Sequence, residues 1–282
     1  MTARRGSPTR GRSPVIIRRG TGSIRFRILA RDPRWGRPLR HYFATFPPAP
    51  ARAAGSILYE VDEANLSRDG VIIERCRDPI QAAGQIVMDL GDEVPARASR
   101  HVCLHAGAVS RSGRALLLPA ALKGGKSTLT LGLVRRGFSY YSDDLAIIRL
   151  RDAKICAFPR PIELRPGAID LFPRLGPGLE ALPAGRARGT CIRVARTRTG
   201  RTPARIRWIV FPHVRLGTRT RLTPLPRAGA LVRLSRLGFN LDRLGAEGFE
   251  TLVSLVRGAD CYALEVGRLP DGLRVLSRVI SR

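Results

Sequence analysis

The chain has 282 residues and a formal net charge of +28, from 50 Lys plus Arg against 22 Asp plus Glu. That length can bury a full core in one large domain with a smaller one beside it. No run of 18 or more apolar residues occurs, and the start MTARRGSPTRGRSP has no long apolar stretch behind its charges, so the chain reads as a soluble cytoplasmic protein without membrane span or secretory signal.

Residues 1 to 22, mostly Arg, Gly, Ser, Thr and Pro, are expected to form a disordered basic tail. Residues 23 to 99 are expected to form a small β-rich module: SIRFRIL alternates apolar and basic residues, and SILYEVD and GVIIERC read as further strands with SRDG as the turn. Asp78 and Pro79 open a helix with Ile80, Ala83, Val87 and Leu90 on one face and Gly91 as its stop, followed by a linker to about Arg100.

Residues 100 to 282 are expected to be the main domain. VCLHAGAVS and ALLLP are buried-strand runs joined across RSGR. Leu129, Leu133 and Gly137 mark a helix, FSYYS a strand ending at Asp143 and Asp144, and LAIIRL and ICAFP a hairpin around RDAK. Pro173 to Pro203 has no predicted element. Then RWIVFP reads as a strand, Phe249, Leu252, Val253 and Val256 as the apolar face of a helix from Ala246, CYALEV as a strand, and about Pro270 onward as a last helix. Cys76, Cys103, Cys156, Cys191 and Cys261 are widely spaced and never C-x-x-C, which fits reduced thiols in or near a core.

One stretch stands apart. PAALKGGKSTLT, residues 119 to 130, matches the phosphate-loop pattern G-x-x-x-x-G-K-[ST] at Gly125, Lys126 and Ser127, with Ala120 at the first glycine. Lysine occurs at only Lys123, Lys126 and Lys154 in a chain that otherwise uses arginine. Two lysines within four residues therefore mark a chemical need, since a compact ammonium closes over phosphate where a planar guanidinium does not. Ala120 is tolerable if its φ is negative. Strand, loop, helix and strand around the pattern are the context a phosphate loop needs. The nucleotide-binding set is Ala120, Ala121, Leu122, Lys123, Gly124, Gly125, Lys126, Ser127 and Thr128, with Lys126 bridging the β- and γ-phosphates and the Ser127 hydroxyl on Mg²⁺. Asp143 and Asp144 follow Lys126 by seventeen and eighteen residues at the carboxyl end of a strand, where ligands of α/β sheets gather. His105 lies on the strand before the loop strand. Glu163, in RPIELRPG, is an acid amid apolar and cationic neighbours.

LHAGAVSRSGRALLLPAALKGGKSTLTLGLVRRGFSYYSDDLAII resembles the catalytic core of HPr kinase/phosphorylase and the related bacterial serine kinases, including lasso-peptide precursor kinases. In that family a histidine precedes the loop lysine by twenty-one residues, as His105 precedes Lys126, and an Asp-Asp pair follows as Asp143 and Asp144 do. IELRPG is similar to the family segment whose glutamate helps bind the metal, which implies that role for Glu163. FPRPIELRPG, RWIVFPHVR and LGFNLDRLGAEGFETLVSLVRGADCYALEVG resemble the HPr-kinase-related branch, so the likeness covers roughly residues 100 to 268. It departs at Ala120, at Lys123 and at Thr128, where HPr kinases commonly carry glutamate.

The resemblance implies an α/β fold with a P-loop core of the HPr-kinase/PEP-carboxykinase type. It also implies an ATP- and Mg²⁺-dependent kinase acting on a serine of a protein or peptide, with Asp144 accepting the hydroxyl proton and His105 and Asp143 tuning it. The acid-free reach from Arg186 to Arg236 favours an acidic acceptor. Two rival classes are a non-catalytic nucleotide-binding protein and a nucleic-acid binder whose charge is its function. The second lacks zinc-finger spacing, RNA-recognition aromatics or a repeated basic-aromatic pattern. Homo-oligomerisation is left open.

Overall fold

The structure, a computed structural model, describes residues 14–22, 24–49, 56–121, 124–182 and 189–280. Strands β1 (Val15–Thr21) and β2 (Ile24–Ala30) form an antiparallel hairpin. In β2 the alternation places Ile24, Phe26, Ile28 and Ala30 in the core and Arg27 in solvent. Part of the expected disordered tail is thus a strand: Val15, Ile16 and Ile17 supply apolar residues that the arginines around them obscured, and residues 1–13 of the tail lie outside the described residues.

Helix α1 (Pro33–Tyr42) follows, which sequence patterning missed. Asp32 caps it by accepting from the Arg34 backbone N–H, with Pro33 in the first turn. Strands β3 (Ile57–Asp62), β4 (Asn65–Arg68) and β5 (Val71–Arg75) complete a five-stranded sheet in the order β1-β2-β3-β4-β5, with β4 occupying part of the expected turn. Helix α2 (Pro79–Arg97) starts at the Asp78 cap as expected but runs through Gly91 and Pro95. A mid-helix glycine costs only about 1 kcal/mol, and burial of Leu90 and Val94 on the same face outweighs it.

The predicted strand VCLHAGAVS is broken at His105 into β6 (His101–Leu104) and β7 (Ala106–Arg111). The His105 backbone N–H leaves the ladder and donates to the Leu237 carbonyl at 2.8 Å. Next come β8 (Arg114–Pro119), α3 (Lys126–Arg135), β9 (Ser139–Ser142), β10 (Ala146–Arg149) and β11 (Lys154–Cys156). The stretch given no element holds most of a three-stranded sheet, β12 (Ile162–Leu164), β13 (Leu179–Leu182) and β14 (Thr190–Val194), in the order β12-β14-β13. The long β15 (Ala204–Val214) is followed by β16 (Arg221–Pro224), α4 (Arg227–Ser235), α5 (Leu241–Gly258), β17 (Asp260–Val266) and α6 (Leu269–Ile280). Within α5 the backbone kinks at Gly245, and Phe249 is half exposed rather than in the core.

The main sheet has nine strands, ordered β6-β10-β11-β15-β8-β7-β9, with β17 also on β15 and β16 on β17. β8, β15 and β17 run parallel at its centre, so the carboxyl ends of all three face one edge. The chain is therefore mixed α/β. Its small sheet is not isolated: Phe26, Phe43, Phe46 and Phe158 meet in sequence through edge-to-face and tilted contacts, with Phe46 and Phe158 centroids 5.5 Å apart, and the Thr21 hydroxyl donates to the Ala157 carbonyl at 2.6 Å. All five cysteines are free thiols and four are buried. Among the described residues, no helix is long and apolar enough to cross a membrane.

His101 begins β6 and is buried. Burial, then the charges of Arg149 and Arg25, push its imidazole down from 6.5 to about 4, against the nearby Asp152. The unfolded chain therefore takes up this proton first as pH falls. The contribution to stability is complete above about pH 6.5 and is lost down to about pH 4. Melting curves at pH 7 and pH 4.5 are expected to show a larger drop for the wild type than for His101→Gln; equal drops would remove His101 as a source of acid sensitivity.

Candidate functional site

β8 delivers the chain to the edge where β15 and β17 also end, and Gly124 and Gly125, just before α3, lie against β15. A Cβ on Gly125 would come within 2.5 Å of Val214, and one on Gly124 within 3.4 Å of the Pro212 carbonyl. Gly125, at φ 84°, caps α3 in the left-handed region that its missing Cβ makes inexpensive. The Gly124 N–H donates to the Ala121 carbonyl at 3.3 Å, and Ala120 keeps a negative φ, as its side chain requires. Lys126, Ser127 and Thr128 form the first turn of α3, where unpaired N–H groups and the helix dipole favour an anion. Leu122 and Lys123, also assigned to this loop from sequence, lie outside the described residues.

Lys126 is 5 % exposed. Its Nζ donates to the Ala121 carbonyl at 3.2 Å and stands 3.5 Å from Asp144 Oδ1. The same oxygen is 3.3 Å from His105 Nε2. Three residues drawn from the β6–β7 break, the start of α3 and the end of β9 thus meet at one carboxylate oxygen. Asp144 sits at φ 68°, a strained backbone position that a non-glycine residue holds at a cost of about 1–2 kcal/mol. Burial works to raise its carboxyl, but the hydrogen bond from His105 and the charges of Arg160, Lys126 and His105 outweigh burial and hold it at about 2.

Asp143 is the opposite case. It is 1 % exposed, and among the described residues neither carboxylate oxygen has a hydrogen-bond partner. Burial first, and then the charge of Asp144, push it up to about 7, opposed by the nearby Ser127 hydroxyl, Arg160 and Lys126. Two adjacent carboxyls are driven apart, one a firm carboxylate and the other close to its neutral form, which is how a site separates the roles of two like groups. Thr130, one turn into α3, also has a buried hydroxyl without a partner among the described residues.

Gly107 on β7 makes this burial feasible. A Cβ there would reach 2.5 Å from Thr130 Oγ1 and 3.7 Å from Asp143 Oδ1. Gly107→Ala is expected to push α3 off β7 at a cost of about 2 kcal/mol and lower Tm by about 5 °C. Thermal unfolding with an unchanged midpoint would show that the site has slack the geometry does not indicate.

Glu163 is not in that cluster. It lies on β12, 45 % exposed, with Oε2 4.0 Å from Arg160 Nη2, and it reaches the aspartates through Arg160, whose charge acts on both. Among the described residues, no group of three or more His, Cys, Asp or Glu side chains gathers as a metal cage. Sequence reasoning missed Arg160 and also Phe239, whose ring stands 5.8 Å from the His105 imidazole and is half exposed at the site. The residue types gave no signal for either, since both are brought in by loops.

The described arginines of the acid-free reach do not form one rim around this site. Arg193 pairs with Glu180, Arg198 donates to the carbonyls of Pro177 and Val134, Arg207 pairs with Asp260, and Arg233 lies over the Phe211 ring. A cavity of about 1120 Å³ is also present, but none of the loop residues or aspartates lines it. No protein-family model matches the chain, and no curated protein matches it.

Proposed function

We propose that the protein is an ATP- and Mg²⁺-dependent kinase that transfers the γ-phosphate to a serine hydroxyl of a protein or peptide, on a P-loop core of the HPr-kinase/PEP-carboxykinase type. The observation that carries this reading is the meeting of Lys126 and His105 at one oxygen of Asp144, directly beyond a phosphate loop that caps α3.

The loop amides and Lys126 hold the β- and γ-phosphates. Lys126 exchanges its contact with Asp144 for phosphate oxygens when nucleotide enters. The acceptor serine oxygen attacks the γ-phosphorus in line, the bond to the β-phosphate oxygen breaks and ADP leaves, while the hydroxyl proton passes to the Asp144 carboxylate. A carboxyl held at about 2 is a weak base, which suffices because the transition state is loose and positioning does most of the work. His105 orients that carboxylate, and the Phe239 ring offers the acceptor an apolar surface beside it.

The donor set fits a divalent cation. The buried Asp143 carboxylate lies beside the Ser127 hydroxyl and has no fully formed hydrogen bond among the described residues, and Mg²⁺ is commonly held by one or two protein oxygens, water and the nucleotide's phosphates. Ser127 and Asp143 would hold it from the loop side, while Glu163, half exposed on β12 beside Arg160, lies outside this cluster. Bound there, it would neutralise charge on the β- and γ-phosphates. The test is to incubate the full chain with Mg²⁺, ATP labelled in the γ-phosphate and a set of serine peptides. Acid-stable label on serine is expected. Tight ATP binding without label transfer to any acceptor, water included, would favour the non-catalytic nucleotide-binding reading instead.

A further inference from the structure

The cavity of about 1120 Å³ lies at the far end of the strands that carry the site. β6 and β10 are antiparallel, with Leu104 opposite Ala146 and His101 opposite Arg149. His105 and Asp144 therefore flank one end of this pair, while His101 and Arg149 flank the other, about 13 Å away at about 3.3 Å per residue. The cavity opens between that second end, the β1–β2 turn and α5. It is comparable in size to sites that enclose a small organic molecule.

Its lining combines two chemistries. Arg25, Arg100, Arg149, Arg151 and Arg201 line it from β2, the outer ends of β6 and β10 and the loop before β15. Arg25 is fixed by hydrogen bonds to the carbonyls of Gly22 and Ile24, and Arg149 by a two-point contact with Asp152. Among the described residues, Arg100, Arg151 and Arg201 form no ion pair. Of these five arginines only Arg149 is matched by a carboxylate among the described residues, so the lining carries excess positive charge that a bound anion would relieve. His101 also lines the cavity, and its imidazole is lowered first by burial and then by the charges of Arg149 and Arg25. From α5 the lining adds Glu247, Glu250, Thr251 and Ser254, which fall on one helical face at spacings of three, four and seven. Two carboxylates and two hydroxyls accept hydrogen bonds from hydroxyl or amino groups, and carboxylates would repel a second phosphate.

We propose that this cavity binds a small phosphate monoester whose other end carries hydroxyl groups, with the phosphate on the arginines and the hydroxyls on the α5 face. Sugar phosphates and nucleoside monophosphates share that chemistry. The site is separate from the phosphate loop and does not depend on the kinase reading.

Calorimetric titration of the full chain with ribose 5-phosphate, with AMP and with inorganic phosphate tests it. At least one of the two esters is expected to bind once per chain, about tenfold tighter than inorganic phosphate, and which one binds identifies the source. The double variant Arg100→Glu/Arg201→Glu, altered at two exposed positions, is expected to lose about tenfold or more, since charged hydrogen bonds are removed and repulsion is added. Glu250→Gln is expected to weaken the ester while leaving inorganic phosphate unchanged, and Lys126→Ala to leave ester binding unchanged. The proposal is overturned if neither ester binds, if inorganic phosphate binds as well as the esters, or if ester binding survives the arginine variant and disappears with Lys126→Ala. Circular dichroism of each variant separates lost binding from lost fold.

Discussion

Lys126→Ala is expected to lower ATP turnover by about a thousandfold or more, the scale seen when a single preorganised charge is removed from a phosphoryl-transfer site. The ammonium is buried, touches Asp144 and the Ala121 carbonyl, and stands at the start of α3, where phosphate would enter. The fold is expected to survive, because Asp144 keeps His105 as a partner and is itself one-third exposed. Turnover assays alongside circular dichroism check this. Near-normal turnover from a folded variant would remove the loop from the chemistry.

The second large effect is expected at Asp144. An asparagine there keeps the shape and the backbone preference for positive φ but cannot accept a proton. Turnover is expected to fall by about 10²- to 10⁴-fold while nucleotide affinity changes little, because a proton acceptor acts in the transition state and the loop holds ATP. Measured kcat and nucleotide Kd separate the two. If affinity collapsed and turnover of bound nucleotide persisted, Asp144 would be a phosphate- or metal-side residue, and the proton acceptor would lie elsewhere.

The two aspartates illustrate what the sequence made legible. Their place after a strand and after a phosphate loop was readable from spacing, because backbone geometry sets where a strand end falls relative to the loop. Their division of labour was not. It depends on Gly107 letting Asp143 and Thr130 pack against β7, on the left-handed backbone of Asp144, and on Arg160 arriving from the segment before β12. The first and last are long-range contacts and the second is a single-residue conformation, and none of them carries a periodic signal.

The same distinction runs through the fold. Strands with strong alternation, such as β2, and apolar runs such as β8 were recognisable because side-chain burial alone dictates them. The break at His105 was hidden inside a continuous apolar run, since it results from β6 and β7 pairing with different neighbours. Helix α1 was missed because arginines and two prolines dominate it, and only its Asp32 cap and its buried Leu39 and Tyr42 mark it as structure. Basic composition masked apolar residues most where arginine stems and short strands interleave, as in β1 and β14.

Determining the structure of the full chain with Mg²⁺ and a non-hydrolysable ATP analogue tests the central claim most directly. The account predicts the triphosphate across the Gly124–Thr128 turn, with Lys126 Nζ moved from Asp144 to the β- and γ-phosphate oxygens, the cation on Ser127 Oγ with the Asp143 carboxylate facing it, and Asp144 beside the γ-phosphate. An empty loop with nucleotide in the arginine-lined cavity, or a triphosphate that leaves Lys126 and both aspartates as they stand, would contradict it.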